Sequence, residues 1–169
     1  MEEETFDDPR LTAMGLVIEV FEGLRTRLSE VHAAHGLSGN DFDVLIRLAR
    51  SPGQQLRMTD LAAQTALSTS GMTRIVDRLE RPGLVRRAAS ADDRRSSAAV
   101  LTEAGADRLA ADVPPLLETI ENWFTGQLPT EELEAFLASL RTLRAAVRPE
   151  AVAGASAASE SAAGQSTEL

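Results

Sequence analysis

The stretch Ser68-Thr69-Ser70-Gly71-Met72-Thr73-Arg74-Ile75-Val76-Asp77-Arg78-Leu79-Glu80-Arg81-Pro82-Gly83-Leu84-Val85-Arg86-Arg87-Ala88 changes its period at one point. Up to Arg81 the apolar residues Met72, Ile75, Val76 and Leu79 fall three and four apart, as one buried face of a helix requires, and Ser68 or Thr69 can cap its start. Pro82-Gly83 stops that helix. Beyond it Leu84 to Ala88 reads as a strand and Ser97 to Thr102 as a second, joined by the polar turn Ala89-Ser90-Ala91-Asp92-Asp93 with Arg94 and Arg95 beside it. A helix at about 69–81 is thus expected to run into a hairpin at about 84–102.

Working outward, Thr59 can cap a short helix from Asp60 to Thr65, separated from the first by Ala66-Leu67. Ser38-Gly39-Asn40-Asp41 has the form of a capping box and opens another helix, with Phe42, Leu45, Ile46 and Leu48 inward and Ser51-Pro52-Gly53 at its end. Two short helices joined by a tight turn, the second with a polar leading edge and followed by a hairpin, make a winged helix-turn-helix. Residues 38–102 are expected to form that lobe, and the fold class expected is mainly α with a small β-hairpin wing.

Two long helical patterns flank the lobe. Over 10–36, Leu11, Met14, Val17, Ile18, Phe21, Leu24, Leu28 and Val31 form a wide apolar stripe. Over 103–148, Thr102 caps a helix carrying Leu109, Val113, Leu116, Leu117, Ile120, Trp123 and Phe124, and a last helix follows Pro129 with Leu133, Phe136, Leu137, Leu140, Leu143 and Val147 along one side. Pro114-Pro115 removes two backbone donors, so the first of these helices should kink or break there. Both ends carry more apolar surface than one face against the lobe needs, which predicts a homodimer built from them; mutual packing of the same helices in a monomer is the alternative. Residues 149–169 are almost wholly Ala, Ser, Gly and Glu, cannot repay the entropy of ordering, and are expected to be a disordered tail.

The net charge of -9 argues against non-specific coating of nucleic acid, but it is unevenly spread. From Arg57 to Ser97 eight arginines face five acids, a net of +3 against -12 for the rest of the chain. That asymmetry suits a protein that offers one surface to phosphate; an ordinary salt-bridged surface would also produce it. All 17 basic residues are Arg, which says more about coding composition than about function. With no Cys, disulfides, thiolate metal sites and cysteine redox switches are excluded. No run of 18 apolar residues exists, and Glu2-Glu3-Glu4 is the opposite of a basic leader, so no membrane association and a cytoplasmic location are expected.

The helix at 69–81 exposes Thr69, Ser70, Thr73, Arg74, Asp77 and Arg78: short hydroxyls suited to phosphate and base contacts, and arginines able to pair with guanine O6 and N7. Any solvated helix face carries such residues. The hairpin adds weight, because an arginine at its tip, Arg94 or Arg95, can enter the minor groove beside a helix seated in the major groove. Asp93 can hold the Arg95 guanidinium in one orientation through a charge-assisted bond.

Asp93-x-Arg95, then Leu101-Thr102-Glu103-Ala104-Gly105, resembles the wing signature of the multiple-antibiotic-resistance regulator (MarR) family. Met58-Thr59-Asp60-Leu61-Ala62, Ser70 to Glu80 and Pro82-Gly83-Leu84-Val85-Arg86-Arg87 are similar to that family's third helix, recognition helix and first wing strand. The resemblance implies a homodimeric transcriptional regulator, expected to be a repressor, that sets two lobes on successive major grooves of a pseudo-palindromic double-stranded DNA operator, often with a small-molecule effector as a further partner. It implies a base contact by Arg74, a minor-groove contact by Arg95, phosphate or base contacts by Ser68, Thr69, Ser70 and Thr73, and a phosphate contact by Arg86; Arg78 and Arg94 complete the expected DNA-binding set. Relatives that sense peroxide through cysteine are no guide here, since there is none.

Other candidates are weaker. His32 and His35 have a spacing that can hold a metal with Glu30 or an acid from elsewhere, but two histidines do not make a site, and solvent-facing or interhelical hydrogen-bonding roles are preferred. Trp123-Phe124 can line an effector pocket or simply be core. No nucleophile motif, phosphate loop or ligand cluster points to an enzyme, and no cofactor or metal is expected. The principal rival is a winged-helix module that binds protein without specific DNA binding.

Overall fold

The computed structural model describes residues 6–89 and 97–151. The elements in chain order are α1 (Pro9–Ala34), α2 (Gly39–Ala49), β1 (Gln55–Arg57), α3 (Met58–Thr65), α4 (Thr69–Glu80), β2 (Val85–Ala89), β3 (Ser97–Leu101), α5 (Glu103–Trp123) and α6 (Thr130–Val147). Mostly helical with a small antiparallel sheet, this is the fold class expected from the sequence.

Local chemistry accounts for most of the boundaries. Asp8 caps α1 by accepting from the Arg10 N–H at 2.9 Å, with Pro9 in the first turn, where its missing donor costs nothing. At α2 the capping box is complete: the Ser38 hydroxyl accepts from the Asp41 N–H at 3.2 Å, and the Asp41 carboxylate accepts from the Ser38 N–H at 2.9 Å. Thr59 does not cap α3. That helix begins two residues before the expected Asp60, at Met58, with Arg57 in the extended cap position and no side-chain cap bond, because the preceding chain arrives as strand β1.

β1 is an addition to the expected hairpin. It pairs with β3 through Gln55↔Val100, Leu56↔Ala99 and Arg57↔Ala98, while β2 pairs with the other edge of β3 from Val85↔Leu101 to Ala89↔Ser97. The spatial order is therefore β1-β3-β2. As the central strand, β3 buries Ala98 through Leu101 without alternation, as a strand covered on both faces should.

The core lies in this lobe. Val44, Leu45 and Leu48 of α2, Leu61 of α3, Met72, Val76 and Leu79 of α4, and Val85 of β2 are its largest fully buried side chains. α5 joins through a tight contact at its start. A Cβ on Gly105 would lie 2.1 Å from the Leu84 carbonyl oxygen and 2.8 Å from Leu101 Cδ1, so only glycine fits. Thr102 stitches the same junction, accepting from the Gly105 N–H at 3.0 Å and donating to the Gly83 carbonyl at 2.6 Å.

Of the kink or break expected at Pro114-Pro115, the break is absent: α5 runs as one helix from Glu103 to Trp123 through both prolines. Packing on either side outweighs the two lost donors, since Leu109, Asp112 and Leu116 are buried on its inward face and Val113 packs against the lobe core. The inward face of α1 meets α5 along half-buried Leu24, Leu28 and Val31, and buried His32. α6 has no buried residue, and Pro149–Ala151, where the tail was expected to begin, forms a single 3-10 turn; residues 152–169 lie outside the described residues.

Candidate nucleic-acid interface

The helix-turn-helix consists of α3, the turn Ala66-Leu67-Ser68 and α4. Ala66 takes a left-handed conformation (φ 55°) to turn the chain, and Ser68 then caps α4 by accepting from the Gly71 N–H at 3.1 Å. The buried face Met72, Ile75, Val76 and Leu79 seats α4 on the core, which aims its opposite face at solvent. Thr69, Ser70, Arg74 and Arg78 are exposed there, and Thr73 is half-buried with its hydroxyl donating to the Thr69 carbonyl at 2.9 Å. Free N–H groups of a helix start, next to hydroxyls, suit an anionic oxygen.

The arginines divide into two kinds. Arg74 on α4 and Arg86 on β2 are exposed and form no ion pair with any described residue. Arg78 is held: its guanidinium donates to Asp41 Oδ1 through Nη2 at 2.6 Å and Nε at 3.0 Å, and Asp41 is buried. The Asp41 carboxylate therefore serves both the cap of α2 and an arginine of α4. Arg87, absent from the sequence-based set, is held as well, with its Nη2 2.6 Å from Asp77 Oδ1 and its Nη1 3.7 Å from Glu80 Oε2. Its visible signal was a pair of acids one helical turn apart followed by an arginine on the next strand, which reads as ordinary charge mixing without the fold.

Asp93, Arg94 and Arg95, the expected wing-tip residues, lie outside the described residues. The base of the wing is described, and its strands place Ala89 opposite Ser97 at the end of the ladder. The two histidines take structural partners. His35 Nδ1 is 2.6 Å from Asp112 Oδ1, a contact that joins α1 to α5, and His32 is buried with its ring centroid 4.7 Å from that of Phe42. Burial pushes the His32 pKa down, against an opposing pull from the Asp112 carboxylate. Arg108 also reaches Asp112, at 3.2 Å. Among the described residues no group of three or more metal-ligating side chains assembles. Trp123 is half-exposed under the Arg27 guanidinium at 4.3 Å, and Phe124 packs edge-on against Phe136 of α6. No helix among the described residues is long and apolar enough to cross a membrane.

Comparison with known proteins agrees with this geometry. The MarR family model matches residues 35–96, from just after α1 to the residue before β3. The transcriptional regulator HosA of Escherichia coli is 31% identical over 113 residues, covering 66% of this chain and 81% of HosA. AbsC, a MarR family transcriptional regulator from Streptomyces coelicolor, superposes with a TM-score of 0.77 at 31% identity, covering 84% of this chain and 96% of AbsC. Sco3205 from the same organism, solved in complex with DNA, gives a TM-score of 0.76 at 26% identity over 82% of this chain and 88% of its own. With a winged helix-turn-helix, an exposed Arg74 on α4 that has no ion-pair partner among the described residues, and relatives matched along most of their length, the chain belongs to the MarR family of transcriptional regulators.

Proposed function

We propose that the chain is a homodimeric repressor that binds a pseudo-palindromic operator, with α4 reading bases in the major groove and the wing reaching the adjacent minor groove. The observation that carries this reading is Arg74, exposed on α4 with no ion-pair partner among the described residues, in the second turn of a helix whose N-terminal edge is lined with hydroxyls. A guanidinium so placed pairs with guanine O6 and N7, a contact that discriminates among bases. Ser68, Thr69, Ser70 and Thr73 with the N–H groups of the helix start, and Arg86 at the wing base, are assigned to positioning on phosphate. Arg95, oriented by Asp93 and accompanied by Arg94, is assigned to the minor groove.

Two copies joined through α1, α5 and α6 would set half-sites about 10 base pairs apart. Occupancy of an operator overlapping a promoter suffices for repression, and a small-molecule effector seated between lobe and dimerisation helices would relieve it. Selection of genomic fragments by the purified protein tests the reading: enrichment of a short inverted repeat is expected, whereas no enriched fragment at moderate salt would leave the protein-interaction module.

A further inference from the structure

We propose that Arg87 is a positioning residue, which through Asp77 and Glu80 fixes the angle between the recognition helix and the wing, and that it makes no phosphate contact. This rests on the DNA-binding reading above. β2 follows α4 after the turn Pro82-Gly83, where Gly83 has φ +74° and no neighbour within 4 Å of a notional Cβ. A glycine turn in open space does not by itself set the angle between the elements it joins. The β2–β3 ladder ties the strand to the sheet, and the core shared by Met72, Ile75, Val76, Leu79 and Val85 holds α4 to it on the buried side alone.

Four contacts from one residue add a constraint on the solvent side. The Arg87 guanidinium lies 2.6 Å from Asp77 Oδ1 and 3.7 Å from Glu80 Oε2, and donates to the Thr73 carbonyl at 3.4 Å. Its backbone N–H donates to Glu80 Oε1 at 3.1 Å. Arg87 thus touches three residues spaced along two turns of α4, the number needed to fix a direction as well as a distance. Arg86, its neighbour, stays exposed and is the residue of this strand open to phosphate.

The pair also answers an electrostatic problem. Asp77 lies on the helix that approaches DNA, next to Arg78, and an unpaired carboxylate there would repel phosphate. The Arg87 guanidinium neutralises it. Because both side chains are partly exposed, removing the pair should change stability little.

Two readings predict opposite signs for Asp77→Asn. If charge alone matters, removing an acid tightens binding to all DNA. If the pair positions the helix, operator affinity falls about tenfold while affinity for unrelated DNA holds or rises, and the salt slope for operator is unchanged. Arg87→Ala is expected to give the same operator loss at constant slope, and the swap Asp77→Arg with Arg87→Asp to recover part of it. Tighter operator binding by Asp77→Asn, or a slope reduced by about one unit in Arg87→Ala with a parallel loss on unrelated DNA, would overturn the proposal. Residual dipolar couplings of the free protein separate this from the DNA-binding reading. The orientation of α4 relative to β2 is expected to shift or spread in Asp77→Asn, and an orientation identical to the wild type would defeat the positioning role whatever the protein does with DNA.

Discussion

The lobe and the chain ends are built on opposite terms. Among the described residues the eight largest fully buried side chains all lie between Val44 and Val85, so the lobe closes its own core. In the first half of α1, Leu11, Met14, Leu16, Val17, Ile18, Val20 and Phe21 are each more than half exposed, and α6 leaves Leu143 and Val147 in the same state. A contiguous apolar face of that extent on a lone chain marks a surface meant to be covered. The lobe's stability is internal, whereas that of the ends is expected to depend on concentration.

Paired substitutions can break that contrast. Leu61→Ala empties a fully buried site in α3, and a loss of about 2–5 kcal/mol is expected by chemical denaturation, independent of protein concentration. A loss that varied with concentration would mean that the lobe too borrows its core from a partner. The double substitution Val17→Asp with Phe21→Asp should leave lobe stability nearly intact and abolish the proposed dimer in sedimentation. Operator affinity should then fall by about a hundredfold or more, because the second half-site no longer adds to the first. A wild-type protein that sediments as a monomer at micromolar concentration would refute the contrast from the other side.

The same division explains what could be read from the chain. The lobe's helices announce themselves because each buries one stripe against a core of its own making, and the Ser38 capping box and the Pro82-Gly83 stop were legible in type and place. β1 was not, since Gln55-Leu56-Arg57 is too short to show alternation and becomes a strand only because β3 offers a free edge. The continuity of α5 through its prolines was hidden for a related reason. A local penalty of two missing donors was visible, and the packing of Leu109, Asp112 and Leu116 that outweighs it was not. At the proposed interface, the type of each arginine was legible and its engagement was not: Arg74 and Arg78 sit four residues apart on one helix, yet among the described residues only Arg78 has a buried acid, Asp41, contributed from 37 residues away.

That difference sharpens the expectations for the two arginines. Arg74→Ala should cost about 1–3 kcal/mol against the cognate base and relax preference at one position per half-site, read from selection on randomised operators. A uniform loss across sequences would make Arg74 a phosphate contact instead. At the wing, Arg95→Ala is expected to weaken binding broadly and lower the salt slope by about one unit. Unchanged affinity and slope would remove the wing from the interface.

The smallest expected effect falls on the seam between the two regions. His32 is the one buried residue of α1, set against Phe42 of the lobe, with Asp112 and His35 as the charged or titratable groups acting on it. Burial favours its neutral form, so the folded state holds its proton less tightly than the unfolded chain does, whose value is near 6.5. The unfolded state then binds more protons, and stability falls as pH drops below about 6.5 until the folded-state value is passed. Asp112 opposes the effect of burial, which keeps the loss below that of a core truncation. In denaturant titrations across this range, the His32→Leu protein should lose less stability on acidification than the wild type. Equal slopes in the two proteins would place the acid sensitivity elsewhere and leave the seam to packing alone.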